Sequence, residues 1–183
     1  VKKTSMDQYD RTRRDGLIAI NLKDGDELIS VKRVAKGEKV IMVSSAGKAI
    51  LWDESEARAM GRGTMGVRGM NVPADAHVLG MEIAKPGTDL FVITEKGYGK
   101  RTDFTEYPAQ NRGGIGVKNY NCTEKTGKVA AVMGVLGDID IMIIADDGTM
   151  IRTDVMSIST YSRSTQGVKV MRLSEAAKVT SIA

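Results

Sequence analysis

Arg62, Arg112 and Arg163 stand 50 and 51 residues apart, each in a short loop of glycines and small polar residues. Each loop runs into a Gly-Val-Arg or Gly-Val-Lys triplet, beginning at Gly66, Gly116 or Gly167 and ending at Arg68, Lys118 or Lys169. Guanidinium and ammonium groups repeated at a fixed interval suit phosphate, to which arginine donates through a planar fork. The accompanying glycines, among them Gly113 and Gly114, allow the main chain to come close and its N–H groups to donate to phosphate oxygens. Lys100, Arg101 and Arg152 at hairpin-strand ends enlarge the set, and Arg13 and Arg14 extend it toward the N-terminus. For any single arginine, capping a turn or solvating a rim is the plainer role. Recurrence in equivalent loops favours a path, because a spaced row of cations matches a polymer of phosphates better than one small anion.

Other constellations carry less. Gly61-Arg62-Gly63-Thr64-Met65-Gly66 fits G-x-G-x-x-G, but a dinucleotide site needs a strand before it and a helix after it. Here an acidic-polar stretch precedes, and a short strand and Pro73 follow. With His77 the only histidine and Cys122 the only cysteine, a zinc site of the usual nitrogen and sulfur ligands cannot be assembled. Asp138 and Asp140 come before a hairpin whose tip holds Asp146 and Asp147, a separation that fits turn and solvent roles better than a shared metal. Asn121-Cys122-Thr123 matches a glycosylation acceptor, which matters only in a secreted protein. No acid/base pair or Ser/His/Asp grouping recurs with the repeat, so no catalytic residue and no metal ligand is assigned.

The elements that must hold the basic loops repeat with them. Val40–Val43 turns at Ser45-Ala46-Gly47-Lys48 and returns through Ala49–Trp52. Leu90–Ile93 does the same around Gly97, and Ile141–Ile144 around Asp146-Asp147-Gly148, where Asp-Gly is a strong hairpin signal. An acid closes each hairpin, at Asp53, Asp103 and Asp154. About a dozen polar residues, the basic loop and two further strands follow, such as 116–120 and 129–135. Glu54–Met60 has room for one helical turn. Four strands in about 50 residues, without a stretch of sustained 3.6-residue periodicity, predict an all-β, propeller-like disc. The units are a partial blade over 1–39 and blades over 40–88, 89–138 and 139–183, forming a partial ring. The partial blade includes a strand at Leu28–Val34 and the run Gly16–Leu22, which matches Gly66–Val72 fifty residues later. Hairpin strands that read as continuous apolar runs are expected to be covered on both faces by neighbouring blades, with methionines filling gaps.

Composition sets bounds on partners. The chain of 183 residues is 42% hydrophobic and 27% charged, as in soluble globular proteins, and its net charge of +4 is too small for a general polyanion magnet. A nucleic-acid surface must therefore be local. One cysteine excludes an internal disulfide framework and favours a reducing compartment. No apolar run reaches the roughly 18 residues of a membrane span. The absence of an initiator Met and of the first unit's front half points to a chain that begins in mid-protein.

Tyr98-Gly99-Lys100-Arg101-Thr102, with Glu106-Tyr107-Pro108 and Asn111-Arg112-Gly113-Gly114 after it, resembles the hairpin-and-loop pattern of the carboxy-terminal domain found in the A subunits of DNA gyrase and topoisomerase IV. Gly148–Arg152 with Arg163–Val168 resembles that domain's final blade, and the likeness covers essentially the whole chain. The resemblance implies a β-pinwheel whose blades exchange strands and whose basic rim binds, bends and wraps duplex DNA without reading bases. It further implies a bacterial cytoplasmic, nucleoid-associated location and, as partners, the rest of the gyrase A subunit and the gyrase B subunit. No cofactor is expected in this piece, ATP and Mg²⁺ acting through other parts of the parent enzyme. The family's Q-R-R-G-G-K-G box is matched at Gln110, Arg112, Gly113, Gly114 and Gly116, whereas Asn111 and Ile115 each replace a basic residue. This loop is thus similar to the box without being it, and the box is expected upstream of Val1. The remaining alternatives are the topoisomerase IV domain and a propeller-like scaffold that binds a protein on one disc face.

Overall fold

A computed structural model describes residues 1–10 and 14–183. Its strands are β1 (Lys39–Ser44), β2 (Lys48–Asp53), β3 (Val78–Ala84), β4 (Asp89–Thr94), β5 (Tyr98–Asp103), β6 (Val117–Lys118), β7 (Val129–Val135), β8 (Asp140–Ala145), β9 (Met150–Asp154), β10 (Val168–Lys169) and β11 (Val179–Ile182). They form three antiparallel sheets ordered β3-β1-β2-β6, β10-β5-β4-β7 and β11-β8-β9. The hairpins fall where the apolar runs and turn glycines place them.

The outer strand of each four-stranded sheet comes from the following repeat. Lys48 and Ala49 of β2 pair with Lys118 and Val117 of β6, and Tyr98 and Gly99 of β5 pair with Lys169 and Val168 of β10. A third exchange is begun at the N-terminus, where Val67 donates to the Val1 carbonyl at 2.8 Å. The triplet glycines make this approach possible. Gly116 and Gly167 have φ of +79° and +66°, and a side chain on either would run into the main-chain oxygen of Ala49 or Gly99.

Each hairpin ends in a single 3-10 turn, over Glu54–Glu56, Phe104–Glu106 and Val155–Ser157, so the expected helical turn is shorter than 54–60. The closing acids explain where these turns start. Asp53, Asp103 and Asp154 accept from the N–H two residues on, at 2.9, 2.7 and 2.7 Å, in the manner of an N-cap.

Blades pack face to face through alternate side chains. Ile41, Val43 and Leu51 meet Leu90, Val92 and Phe104 between the first two sheets. Phe91, Ile93 and Ala131 meet Ile141, Ile143 and Val155 between the second and third. The central hairpin strand β4 is accordingly buried along nearly its whole length, whereas β8 alternates and β9 is largely exposed. Met42, Met70 and Met171 do fill gaps, but Met6, Met65, Met150 and Met156 are exposed.

The partial blade departs from expectation at Leu28–Val34, which forms no strand. Its counterpart β3 is held by pairing with β1, from Lys39↔Ala84 to Ser44↔Val78, and no such neighbour exists for 28–34 among the described residues. Without ladder bonds the segment lies over the outer face of the first sheet. It leaves a groove of about 1010 Å³ lined by Val40, Met42, Trp52 and Leu28.

Candidate nucleic-acid interface

The basic loops occupy 61–66, 111–116 and 162–167, each after a 3-10 turn, and the last two run into the exchanged strands β6 and β10. Strand exchange sets the loop's position: Asn71 donates to the Gly114 carbonyl at 2.9 Å and Asn121 to that of Thr165 at 3.2 Å, tying each loop to the one before. The repeat therefore brings the three loops side by side on one edge.

The arginines bind protein as well as facing solvent. The Arg112 guanidinium donates from Nη1 to the Arg68 main-chain carbonyl and from Nε to the Glu56 carbonyl, the latter at 3.2 Å. Arg163 repeats the first contact one blade on, Nη1 donating to the Lys118 carbonyl at 3.0 Å. Carboxylates accompany them, since the main-chain N–H groups of Arg112 and Arg163 donate to Glu56 and Glu106 at 3.4 and 3.3 Å. Arg62 is half-buried, and its carbonyl accepts from the Lys2 ammonium.

The basic side chains that end the Gly-Val-Arg/Lys triplets point outward. Arg68, Lys118 and Lys169 are exposed. Lys169 Nζ lies 4.3 Å from the centre of the Tyr98 ring, a cation–π contact. Lys118 stands directly opposite Lys48, a like-charge pair that a free sheet edge disfavours and an anion relieves. Lys48 was not among the residues expected from sequence, because only the exchange register puts it beside Lys118.

Several expected residues have other roles. Lys100 is fully buried: its Nζ donates to the carbonyls of Ser162 and Arg163 at 2.7 Å each and lies 5.4 Å from the Tyr120 ring centre. Burial lowers this ammonium to about 8, against an opposing pull from Glu106 and with a further push from Arg163. It braces the loop from below and is withdrawn from the surface row. Arg101 is turned inward, to Asp89 at 3.0 Å and to the Ile158 carbonyl at 2.7 Å. Arg152 is exposed but paired with Asp140. The Gly113 N–H, expected to face phosphate, donates to the Gly69 carbonyl at 2.8 Å. Gly114 and Arg14 are exposed, and Arg13 lies outside the described residues.

The weaker sequence candidates are likewise placed. His77 is exposed and its N–H donates to Ser45 Oγ at 3.1 Å. Cys122 is half-buried, and burial raises its thiol above the ordinary range. Asp146 and Asp147 accept from the N–H groups of Lys178 and Thr149, at 2.8 and 2.9 Å, and so shape turns.

A model of the family described as DNA gyrase C-terminal domain, beta-propeller, matches residues 1–35, 38–85, 88–135 and 140–183. The chain belongs to the DNA gyrase C-terminal domain family. The DNA gyrase A subunit of Salmonella typhimurium is 41% identical over 175 residues, which is 96% of this chain and 20% of that protein. The gyrase A subunit of Staphylococcus epidermidis is 36% identical over 185 residues, 100% of this chain and 21% of that protein. This member of the gyrase family thus spans about a fifth of the length of the curated relatives it matches. Among solved structures, a DNA gyrase A C-terminal domain superposes with a TM-score of 0.82 at 29% identity, over 92% of this chain and 58% of the other. The C-terminal domain of a DNA topoisomerase IV superposes with a TM-score of 0.91 over 100% of this chain and 57% of the other. At 23% identity that likeness shows the shared pinwheel fold.

Proposed function

We propose that this chain binds duplex DNA without sequence preference along its basic rim, bending and wrapping it as the C-terminal domain of a gyrase A subunit. The observation that carries this reading is the linked order of cations from loop to loop. Arg112 is anchored on the Arg68 carbonyl and Arg163 on the Lys118 carbonyl, while Lys118 faces Lys48 across the exchanged strands. Such a row offers successive phosphates successive donors, and phosphate contacts position a duplex without carrying sequence information. Bending 20 to 30 base pairs by 40 to 90° costs on the order of 1 to 6 kcal/mol, which several charge-assisted contacts offset and a single contact does not.

Gyrase is preferred to topoisomerase IV as parent because the relatives at 36 to 41% identity are gyrase A subunits. Within this reading the domain supports introduction of negative supercoils by an ATP-dependent type IIA topoisomerase of the bacterial cytoplasm. The cleavage, nucleotide and Mg²⁺ chemistry belongs to other parts of that enzyme, and the gyrase B subunit is its partner. Among the described residues no helix is long and apolar enough to cross a membrane.

The test replaces the outward cations that end the three triplets, R68E/K118E/K169E, and follows a random duplex by gel shift at several salt concentrations and by fluorescence-based bending. Each lost phosphate contact reduces the slope of log affinity against log salt by about 0.9. Unchanged slope and bend in the triple variant would remove the rim from consideration. Salt-insensitive binding of a protein partner, with no affinity for random duplex, would establish the scaffold instead.

A further inference from the structure

The contacts of Arg112 and Arg163 are unlike those of side chains held ready only for a ligand. Arg112 uses two guanidinium nitrogens at once, Nε on the Glu56 carbonyl and Nη1 on the Arg68 carbonyl. These acceptors lie 56 and 44 residues away, in the preceding repeat. Arg163 reaches 45 residues back to the carbonyl of Lys118, the residue equivalent to Arg68. The same bond thus joins two successive pairs of loops, and in each pair its acceptor belongs to the residue whose exposed side chain is the neighbouring cation.

We infer that Arg112 and Arg163 are positioning residues: each staples its own basic loop to the preceding one, so that the curvature of the rim depends on guanidinium shape and not on charge alone. This rests on the DNA reading above and adds a separate claim about what these arginines do. A guanidinium has five N–H donors in a rigid fork. Arg112 engages carbonyls with two of its nitrogens and keeps N–H groups for a phosphate. A lysine has the charge but gathers its three donors at one nitrogen on a flexible stem, as Lys100 does on the neighbouring carbonyls of Ser162 and Arg163, and so lacks the two separate nitrogens that Arg112 sets on the Glu56 and Arg68 carbonyls. Loop spacing matters to bending because each phosphate contact must meet the next along a stiff duplex, so a loosened loop keeps its attraction while losing its place.

The staple and the charge separate under lysine substitution. In a Cys122→Ser background of the full chain, spin labels are placed at Met65 and Ile115, exposed residues of adjacent loops, and Arg112→Lys is compared with the parent. The expected result has three parts. The Met65–Ile115 distance distribution broadens without DNA; the slope of log affinity against log salt, which counts neutralised phosphates, is kept because lysine keeps the charge; and the bend measured by fluorescence at saturating protein falls by at least about half. Arg163→Lys supplies an independent second case, read by bending, with circular dichroism confirming the fold of each variant. An Arg112→Lys chain with the parent's distance distribution and bend overturns the proposal. If the parent itself leaves random duplex unbound, the DNA half falls together with the reading it rests on, and the label distances alone decide the staple.

Discussion

Lys100 Nζ donates to the main-chain carbonyls of Ser162 and Arg163, 2.7 Å each, across sequence separations of 62 and 63 residues. The same place in the preceding sheet is taken by Ile50, whose Cδ1 lies beneath Gly114. One loop is therefore braced by a buried cation and its neighbour by an aliphatic side chain, although both belong to one repeat. Lys2 returns to the polar solution, donating to the carbonyls of Ala19 and Arg62.

This brace predicts a pH dependence of stability. Burial lowers the folded-state value of Lys100 to about 8, whereas an unfolded lysine stays charged to about pH 10.4. Between the two values the unfolded chain holds the extra proton, so this site's contribution to stability rises with pH through 8 toward 10. The neutral amine still donates to both carbonyls. Urea melts of the parent and of Lys100→Met at pH 7 and pH 10 should show the parent gaining about 2 to 3 kcal/mol relative to the variant. A constant difference between the two proteins would contradict it.

Two turn glycines in equivalent positions differ in what surrounds them. Gly97 and Gly148 have φ of +77° and +83°. A side chain on Gly97 would meet the Met171 carbonyl, whereas nothing lies within 4 Å of the corresponding point on Gly148. Gly148→Ala therefore carries only the left-handed backbone penalty of about 1 to 2 kcal/mol. Gly97→Ala adds displacement of the main chain at Met171, just after β10, and should cost at least twice as much, read as the gap between their urea midpoints.

The capping acids can be tested at Asp103. Its carboxylate accepts from Thr105 N at 2.7 Å, and this bond holds it below the usual carboxylate range. Asp103→Ala should destabilise the chain by about 1 kcal/mol at pH 7. A carboxylate with a depressed folded value contributes fully above its unfolded value near pH 4 and loses that contribution as pH falls through the folded one. The parent and Asp103→Ala should accordingly converge in thermal stability in acid.

Tyr107 and Asn119 form a buried polar pair between the first two sheets, the tyrosine hydroxyl donating to Asn119 Oδ1 at 2.5 Å. Burial raises the Tyr107 phenol above its ordinary range, so it remains a donor at physiological pH. Asn119 Nδ2 has no protein partner among the described residues, and Tyr107→Phe would leave the whole amide unpaired. The expected loss is about 1 to 3 kcal/mol. The double variant Tyr107→Phe/Asn119→Val should recover much of it, a pattern a double-mutant cycle resolves.

Much of the candidate site was legible because its signals are local. A left-handed glycine, a capping acid and an apolar run each act within a few residues, and so Gly97, Asp103 and Leu90–Ile93 mark their elements directly. The standing of individual cations was not legible. Lys100, Arg101 and Arg152 read as strand-end basic residues and Lys118 as the end of a loop triplet, all four as members of one row. Packing sinks the first, turns the second onto Asp89, pairs the third with Asp140 and leaves the fourth exposed. Lys48 escaped notice because its relation to Lys118 exists only across the exchanged strands. The strand expected at Leu28–Val34 was a sound propensity reading that failed because a strand needs an edge to pair with, and propensity contains no information about one.

The amino-acid sequence by itself determined the period of about 50 residues, the all-β class, the hairpins and their caps, and the placing of a basic loop in every unit. Tertiary structure alone decided that the Gly-Val-Arg/Lys strand leaves its own unit for the preceding sheet, and through that register which cations are buried and which exposed. The physical reason is that the repeats are alike. A strand of given sequence has chemically similar edges in its own unit and in the preceding one, so the residues of the strand alone do not choose between them, and the interblade clusters around Phe91, Tyr107 and Tyr120 exist only once the sheets are assembled. Arg62, Arg112 and Arg163 share one residue type and one interval; the exchange is what turns two of them back onto the carbonyls of Arg68 and Lys118.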